Sequence, residues 1–200
     1  MLETKSKILE NKEEKERKIL DASFALFTEK GIKNTSVQQI VDKAGIAKGT
    51  FYLYFKDKDD LQEYLITKKS EQLFNDALKY VDEKNISDFT ERLINMIDFI
   101  IDEFIRDKSL LQFISKNLSL GLFGDKLSNL VDKSTIGVME AFKKGIEENK
   151  LSISNPELTL YMIIELTSSV VFTSITMNKP LPISELKPFL YDKLRKILLD

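Results

Sequence analysis

The chain is predicted to be all-α, on three observations. None of its four prolines (Pro156, Pro180, Pro182 and Pro188) falls in the first 155 residues, so the residue that breaks helix interiors is missing from most of the chain. Only seven glycines interrupt its 200 residues. Apolar residues recur at three- and four-residue spacing, and the period-two alternation of strands is nearly missing. With 42% hydrophobic and 31% charged residues, the composition is that of a globular protein of one domain or two small ones.

The first helix is predicted over 13–30. Leu20, Phe24 and Phe27 form its apolar stripe, Ile19 and Leu26 widen it, and Gly31 after Lys30 stops it. Thr35 with Gln38, and Ser36 with Gln39, both have capping-box spacing for the next helix, which ends at Gly45. Another short helix runs from near Ala47 to about Tyr54. Asp57, Asp59 and Asp60 then open a long helix, where acids meet the positive end of the helix dipole, and Leu61, Leu65, Leu73 and Leu78 carry it to about Glu83. Five more helices are predicted over 87–106, 109–118, 125–149, 156–177 and 183–199, about nine in all. Pro156 takes a permitted first-turn position, and Pro188 predicts a slight bend in the last helix. The long helix joins the two halves of the chain rigidly.

Cysteine, tryptophan and histidine are all absent. That excludes a disulfide framework, every Cys/His zinc site and any nucleophile–histidine relay. The Glu-x-x-His pattern of di-iron bundles is equally impossible, and no Gly-rich phosphate cradle is present, so an enzyme, a metal and a cofactor are all unexpected. Charges are expected to break every apolar run short of a membrane span, and the charged N-terminal stretch does not resemble a secretory signal. A cytoplasmic protein is expected.

Residues 35–55, TSVQQIVDKAGIAKGTFYLYF, carry the sharpest signal. Two short helices meet at Gly45, which supplies the positive φ of a tight turn, and Ile40, Ala44, Ile46 and Phe51 have the spacing to pack them together. That arrangement is a helix-turn-helix. Its second helix presents Lys48, Thr50, Tyr52 and Tyr54, side chains suited to base edges and phosphates in a major groove. Gly49 lets the helix start approach a phosphate closely. Residues 30–58 hold six lysines and two aspartates, a net +4, whereas the whole chain is −2. A surplus confined to one segment is the footprint of a nucleic-acid-reading module. A helical adaptor that binds only protein is the rival reading, and it leaves this surplus unexplained.

The run Phe27-x-x-Lys30-Gly31, Thr35-Ser36-Val37-x-x-Ile40-Val41-x-x-Ala44-Gly45-Ile46-Ala47-Lys48-Gly49-Thr50-Phe51-Tyr52-x-Tyr54-Phe55-Lys56-Asp57-Lys58-x-x-Leu61 resembles the TetR/AcrR family of bacterial repressors over about 50 residues without a gap. The resemblance implies a three-helix DNA-binding domain at 1–57 and a helical effector-binding and dimerisation domain at 58–200. It implies DNA contacts at Ser36, Gln38, Lys48, Gly49, Thr50, Tyr52, Tyr54 and Lys58, with the last three on phosphates. Some of these positions have a plainer reading: Gln38 as a capping-box partner, and Tyr52 or especially Tyr54 as packing. Phe51 and Phe55 are assigned to the core.

The same resemblance implies a ligand-responsive homodimer, formed through about 156–177 and 183–199, that binds an inverted-repeat operator in double-stranded DNA and releases it when a small effector binds. Whether the regulator represses or activates depends on where the operator lies. The helix over 156–177 has apolar residues spread around more than one face and is expected to be buried on nearly all sides. On 183–199, Leu186, Phe189, Leu190, Leu194, Ile197 and Leu198 would contribute to a four-helix interface. Candidate effector-pocket residues are Met96, Phe99, Ile100, Phe104, Phe113, Asn117, Tyr161, Met162, Glu165 and Phe172, with Asn95 and Asp98 flanking them. Glu165 is either a pocket acid or an interface ion pair, with Arg195 or a lysine as partner. A hydrophobic or amphipathic effector is expected. Gly137, Ala141 and Gly145 form a small ridge where another helix packs closely.

Overall fold

The structure is a computed structural model that describes residues 2–115, 118–119 and 134–199. Among the described residues lie nine α-helices and no strand: α1 Leu2–Lys30, α2 Val37–Ala44, α3 Lys48–Phe51, α4 Lys58–Glu83, α5 Phe89–Arg106, α6 Lys108–Ile114, α7 Ser134–Glu148, α8 Pro156–Met177 and α9 Ile183–Leu199. The all-α expectation holds. Helix starts follow their caps: Asp88 accepts the Glu91 N–H at 2.8 Å, and Asp107 accepts those of Ser109 and Leu110 at 2.9 and 3.0 Å. Residues 125–133 of the predicted 125–149 helix lie outside the described residues, as does Asn117.

The chain forms two compact units, Met1–Leu65 and Ile66–Asp200. In the first, α1 packs on α2 with Ile19, Ala22, Ser23, Leu26 and Phe27 buried, an i, i+3, i+4, i+7, i+8 stripe. This stripe is rotated from the expected one. Leu20 and Phe24 are only half-buried, because small Ala22 and Ser23 occupy the line of contact. Ile40, Val41, Phe51, Phe55, Leu61 and Leu65 complete that core.

In the second unit, α5 is the central element, with both α6 and α9 packed on it, and α8 packs on α7 and α9. Leu186, Leu190, Leu194 and Leu198 recur every four residues and turn one stripe of α9 inward. The helix continues through Pro188. Two polar clamps tie α9 to α5. Lys187 Nζ lies 2.6 Å from an oxygen of both Asp98 and Asp102, and Arg195 donates to both carboxylate oxygens of Glu91 at 2.8 and 3.2 Å.

The 22-residue α8 overturns one expectation. It is long and apolar enough to cross a membrane by length and composition, so charges do not break every apolar run. Within the single chain, Leu160, Ile163, Ile164, Ser168 and Val171 of this helix face inward, whereas Leu158, Tyr161, Met162 and Leu166 are exposed. Glu165 lies on that exposed side, and Arg195 is engaged by Glu91 within the chain.

Candidate nucleic-acid interface and cavity

Ser36 sits in extended geometry ahead of α2. Its Oγ accepts the Gln39 N–H at 3.2 Å, and Gln39 Oε1 accepts the Ser36 N–H at 2.9 Å, a complete capping box. The rival spacing is not used: Thr35 is buried and its hydroxyl donates to Gly31 O at 2.9 Å. Gln38 is therefore not a capping partner. It stands exposed, and its amide donates to Asp42 Oδ1 at 2.8 Å. The helix stops at Gly45, whose φ of 67° a side chain would strain, and the Ile46 N–H returns to Val41 O at 3.1 Å.

The second helix of the motif is shorter than expected, one turn rather than a helix to Tyr54. Leu53 and Tyr54 donate to Thr50 O and Phe51 O, three residues back, at 3.2 and 3.0 Å, so the chain tightens into a turn over 52–54. Its aromatic and β-branched residues are weak helix formers, and burial of Phe51 fixes the turn against the core. Lys48 and Gly49 are exposed and Thr50 is half-buried. Tyr52 is 52% exposed, its ring edge-on to Phe51 at 5.3 Å. A Cβ built on Gly49 would meet nothing within 4 Å. Leu53, which no motif or spacing singles out, is 81% exposed.

Tyr54 and Lys58 are turned toward the protein. The Tyr54 hydroxyl donates to Lys12 O of α1 at 3.1 Å, and burial pushes this phenol above its ordinary value. Lys58 Nζ donates to Ile32 O at 2.7 Å and to Thr35 O at 2.9 Å, pinning the α1–α2 loop to the first residue of α4. Lys33, Lys43, Lys48 and Lys56 are exposed around this unit. Lys58→Met is expected to destabilise the unit by about 1–3 kcal/mol, because two carbonyls lose a charged donor. Urea denaturation followed by circular dichroism checks this, and an unchanged midpoint refutes it.

The second unit contains a cavity of about 370 Å³ between α4, α5, α7 and α8, lined by Leu78, Phe89, Leu93, Met96, Phe142 and Leu160 with Arg92, Lys144, Glu148 and Asn149. A Cβ on Gly145 would fall 2.1 Å from the Phe89 ring, so α7 approaches that ring as closely as only glycine allows. A smaller apolar space of about 50 Å³ adjoins it, lined by Phe74, Ile97, Ile100, Phe104, Ile163 and Val171 among others. Of the candidate pocket residues, Met96, Ile100 and Phe104 line these spaces. Phe113 is buried elsewhere, and Phe99 stacks on Tyr80 with centroids 4.9 Å apart. Tyr161, Met162 and Glu165 face outward, and the half-buried Phe172 is not in either wall. Asn95 donates to Glu91 O at 2.8 Å. Asp98 accepts from Lys187 and Tyr191. Burial works against its ionisation, but those hydrogen bonds prevail and hold the carboxyl below the usual range.

Two helices hinged at an αL glycine, with a lysine–tyrosine face left open and cations around it, define a helix-turn-helix protein. Residues 19–65 match the profile of the bacterial regulatory proteins, tetR family. Over those residues the chain is similar to that family. It is 24% identical over 174 residues to the uncharacterized HTH-type transcriptional regulator YhgD of Bacillus subtilis (strain 168), spanning 84% of this chain and 88% of that one. It spans about half the length of other curated HTH-type regulators that it matches. A TetR family transcription regulator from Marinobacter aquaeolei VT8 has the same fold, with TM-score 0.69, 16% identity, and 96% and 98% of the two chains covered. So does the transcriptional regulator FadR from Bacillus subtilis in complex with stearoyl-CoA, with TM-score 0.62, 22% identity, and 89% and 96% covered. These relatives are regulators, not enzymes.

Proposed function

We propose that the chain is a cytoplasmic homodimeric repressor that grips an inverted-repeat operator through α2 and α3 and releases it when a hydrophobic or amphipathic effector fills the cavity. The observation that carries the DNA side is Gly49. The chain's own packing gives no reason for a glycine there, since a side chain would stand in open space, so the room serves an outside partner. Ser36, Gln38, Lys48, Thr50 and Tyr52 surround it as the contact set. Tyr54 and Lys58 act by holding that set in place. Selection of bound genomic fragments, followed by gel shifts at two salt concentrations, tests the reading: binding must be specific and weaken steeply with salt. Failure to retain any inverted-repeat fragment at low salt refutes it.

The exposed apolar residues of α8, together with Phe189 of α9 at 64% exposure, support a dimer across these helices. Leu166→Arg is expected to shift the protein from dimer to monomer in sedimentation velocity and to lower operator affinity with it. A dimer that survives the substitution puts the interface elsewhere.

The cavity supports the effector side, and the FadR relative holds stearoyl-CoA in the same fold. The mechanical link is α4, which supplies Lys58 to the first unit and Phe74 and Leu78 to the cavity walls of the second. A ligand that shifts α4 disturbs the loop ahead of α2. By linkage, operator and effector then weaken each other by the same factor. Melting-temperature shifts across apolar amphipaths and polar metabolites test the ligand class, and shifts with polar metabolites alone overturn it.

A further inference from the structure

The two parts of the cavity share Leu93, Met96, Val138 and Leu160 in their walls. The inner wall is apolar except for two hydroxyls of α8, those of Thr167 and Ser168. Ser168 is 8% exposed, and neither hydroxyl oxygen has a hydrogen-bond partner among the described residues. Elsewhere on α8, Thr159, Thr173, Ser174 and Thr176 each donate to a backbone carbonyl at 2.7–3.0 Å. The helix therefore satisfies these hydroxyls away from the cavity and leaves unsatisfied the pair that lines it. Burying such groups unpaired opposes folding, and a ligand that pairs them recovers the loss. The outer part offers no comparable anchor for an anion: Arg92 already lies 2.6 Å from Asp82, and Lys144 lies 3.6 Å from Glu148.

Resting on the effector reading above, we propose that Thr167 and Ser168 are the recognition end of the cavity and hydrogen-bond a neutral oxygen, hydroxyl or carbonyl, carried by an otherwise apolar effector. The apolar walls select for neutrality, because two hydroxyls do not offset the desolvation of a full charge. A pure hydrocarbon leaves both hydroxyls unpaired and is the poorer ligand.

The test uses the full chain, its Thr167→Val and Ser168→Ala variants and the double variant. The probes are octan-1-ol and octanoate, which share a chain length but differ in the charge on oxygen. Calorimetric titration is expected to give tighter binding of octanol than of octanoate to the unaltered protein, and octanol binding about tenfold weaker in the double variant. Without ligand, the double variant is expected to melt higher than the parent, since it no longer buries unpaired hydroxyls. No octanol binding by the parent, equal octanol binding by parent and double variant, or a lower melting temperature in the double variant overturns the proposal. The last result means that the hydroxyls are already satisfied, by a trapped water for instance. An operator-release assay separates this inference from the regulatory reading. Hydroxyl-dependent octanol binding that leaves DNA binding untouched supports the inference and refutes the regulatory coupling. An apolar compound that releases DNA equally from parent and double variant does the reverse.

Discussion

Gly49→Leu is expected to lower operator affinity by roughly a hundredfold, the loss of two or three phosphate hydrogen bonds at about 1 kcal/mol each. The free protein is expected to keep its melting temperature or gain slightly. Both signs follow from one geometric fact: a Cβ at this position meets nothing within 4 Å beyond its own helix backbone and chain neighbours. Leucine is the better helix former by about 0.5–1 kcal/mol, so the fold has no reason to resist it. The penalty falls only on a partner that must come close to the start of α3. Fluorescence anisotropy on an operator duplex and a thermal melt of the free protein read the two effects separately. Unaltered affinity means that α3 does not face the duplex. A fall in melting temperature means that the glycine serves the fold after all.

Phe51→Ala has the largest expected effect on stability. Phe51 is fully buried, and its ring lies 5.9 Å from that of Phe55 and 5.3 Å from that of Tyr52. Emptying such a site costs about 3–5 kcal/mol, comparable to the whole stability of many small domains. Hydrogen exchange is expected to show lost protection over residues 37–65 and retained protection in α5 and α9, together with loss of operator binding. Phe51→Leu refills most of the volume and is expected to recover much of the loss. If protection over 37–65 survives in Phe51→Ala, the turn after α3 is held by its backbone bonds instead.

What was legible in the sequence was local. The Ser36–Gln39 box, the αL turn at Gly45, the acids opening α4 and Pro156 at the head of α8 each depend on residues within one helical turn. Spacing alone places the α1 stripe one position off, because large Leu20 and Phe24 outweigh Ala22 and Ser23 in any apolar count, although it is the small pair that lets α2 approach. The second helix of the motif is shorter than its sequence suggests because its aromatic run gives no stop signal, and the stop comes from anchoring Phe51 in the core. The partners of Lys58 and Tyr54 lie 23 to 42 residues away and leave no trace in spacing. On α8 the periodicity is nearly silent, since the helix is apolar all round. Which side lines the cavity, and therefore where Thr167, Ser168, Tyr161 and Glu165 point, is decided by the neighbouring helices.

The Lys58 clamp closes on main-chain oxygens, which every amino acid possesses. As far as this anchor is concerned, residues 32 and 35 are free to mutate, while adding or deleting a single residue between 31 and 36 moves both acceptors out of reach. Lineages that diverge in that stretch should thus differ in its spelling but not in its length, and the pose of the reading helices is inherited even as the loop's wording drifts.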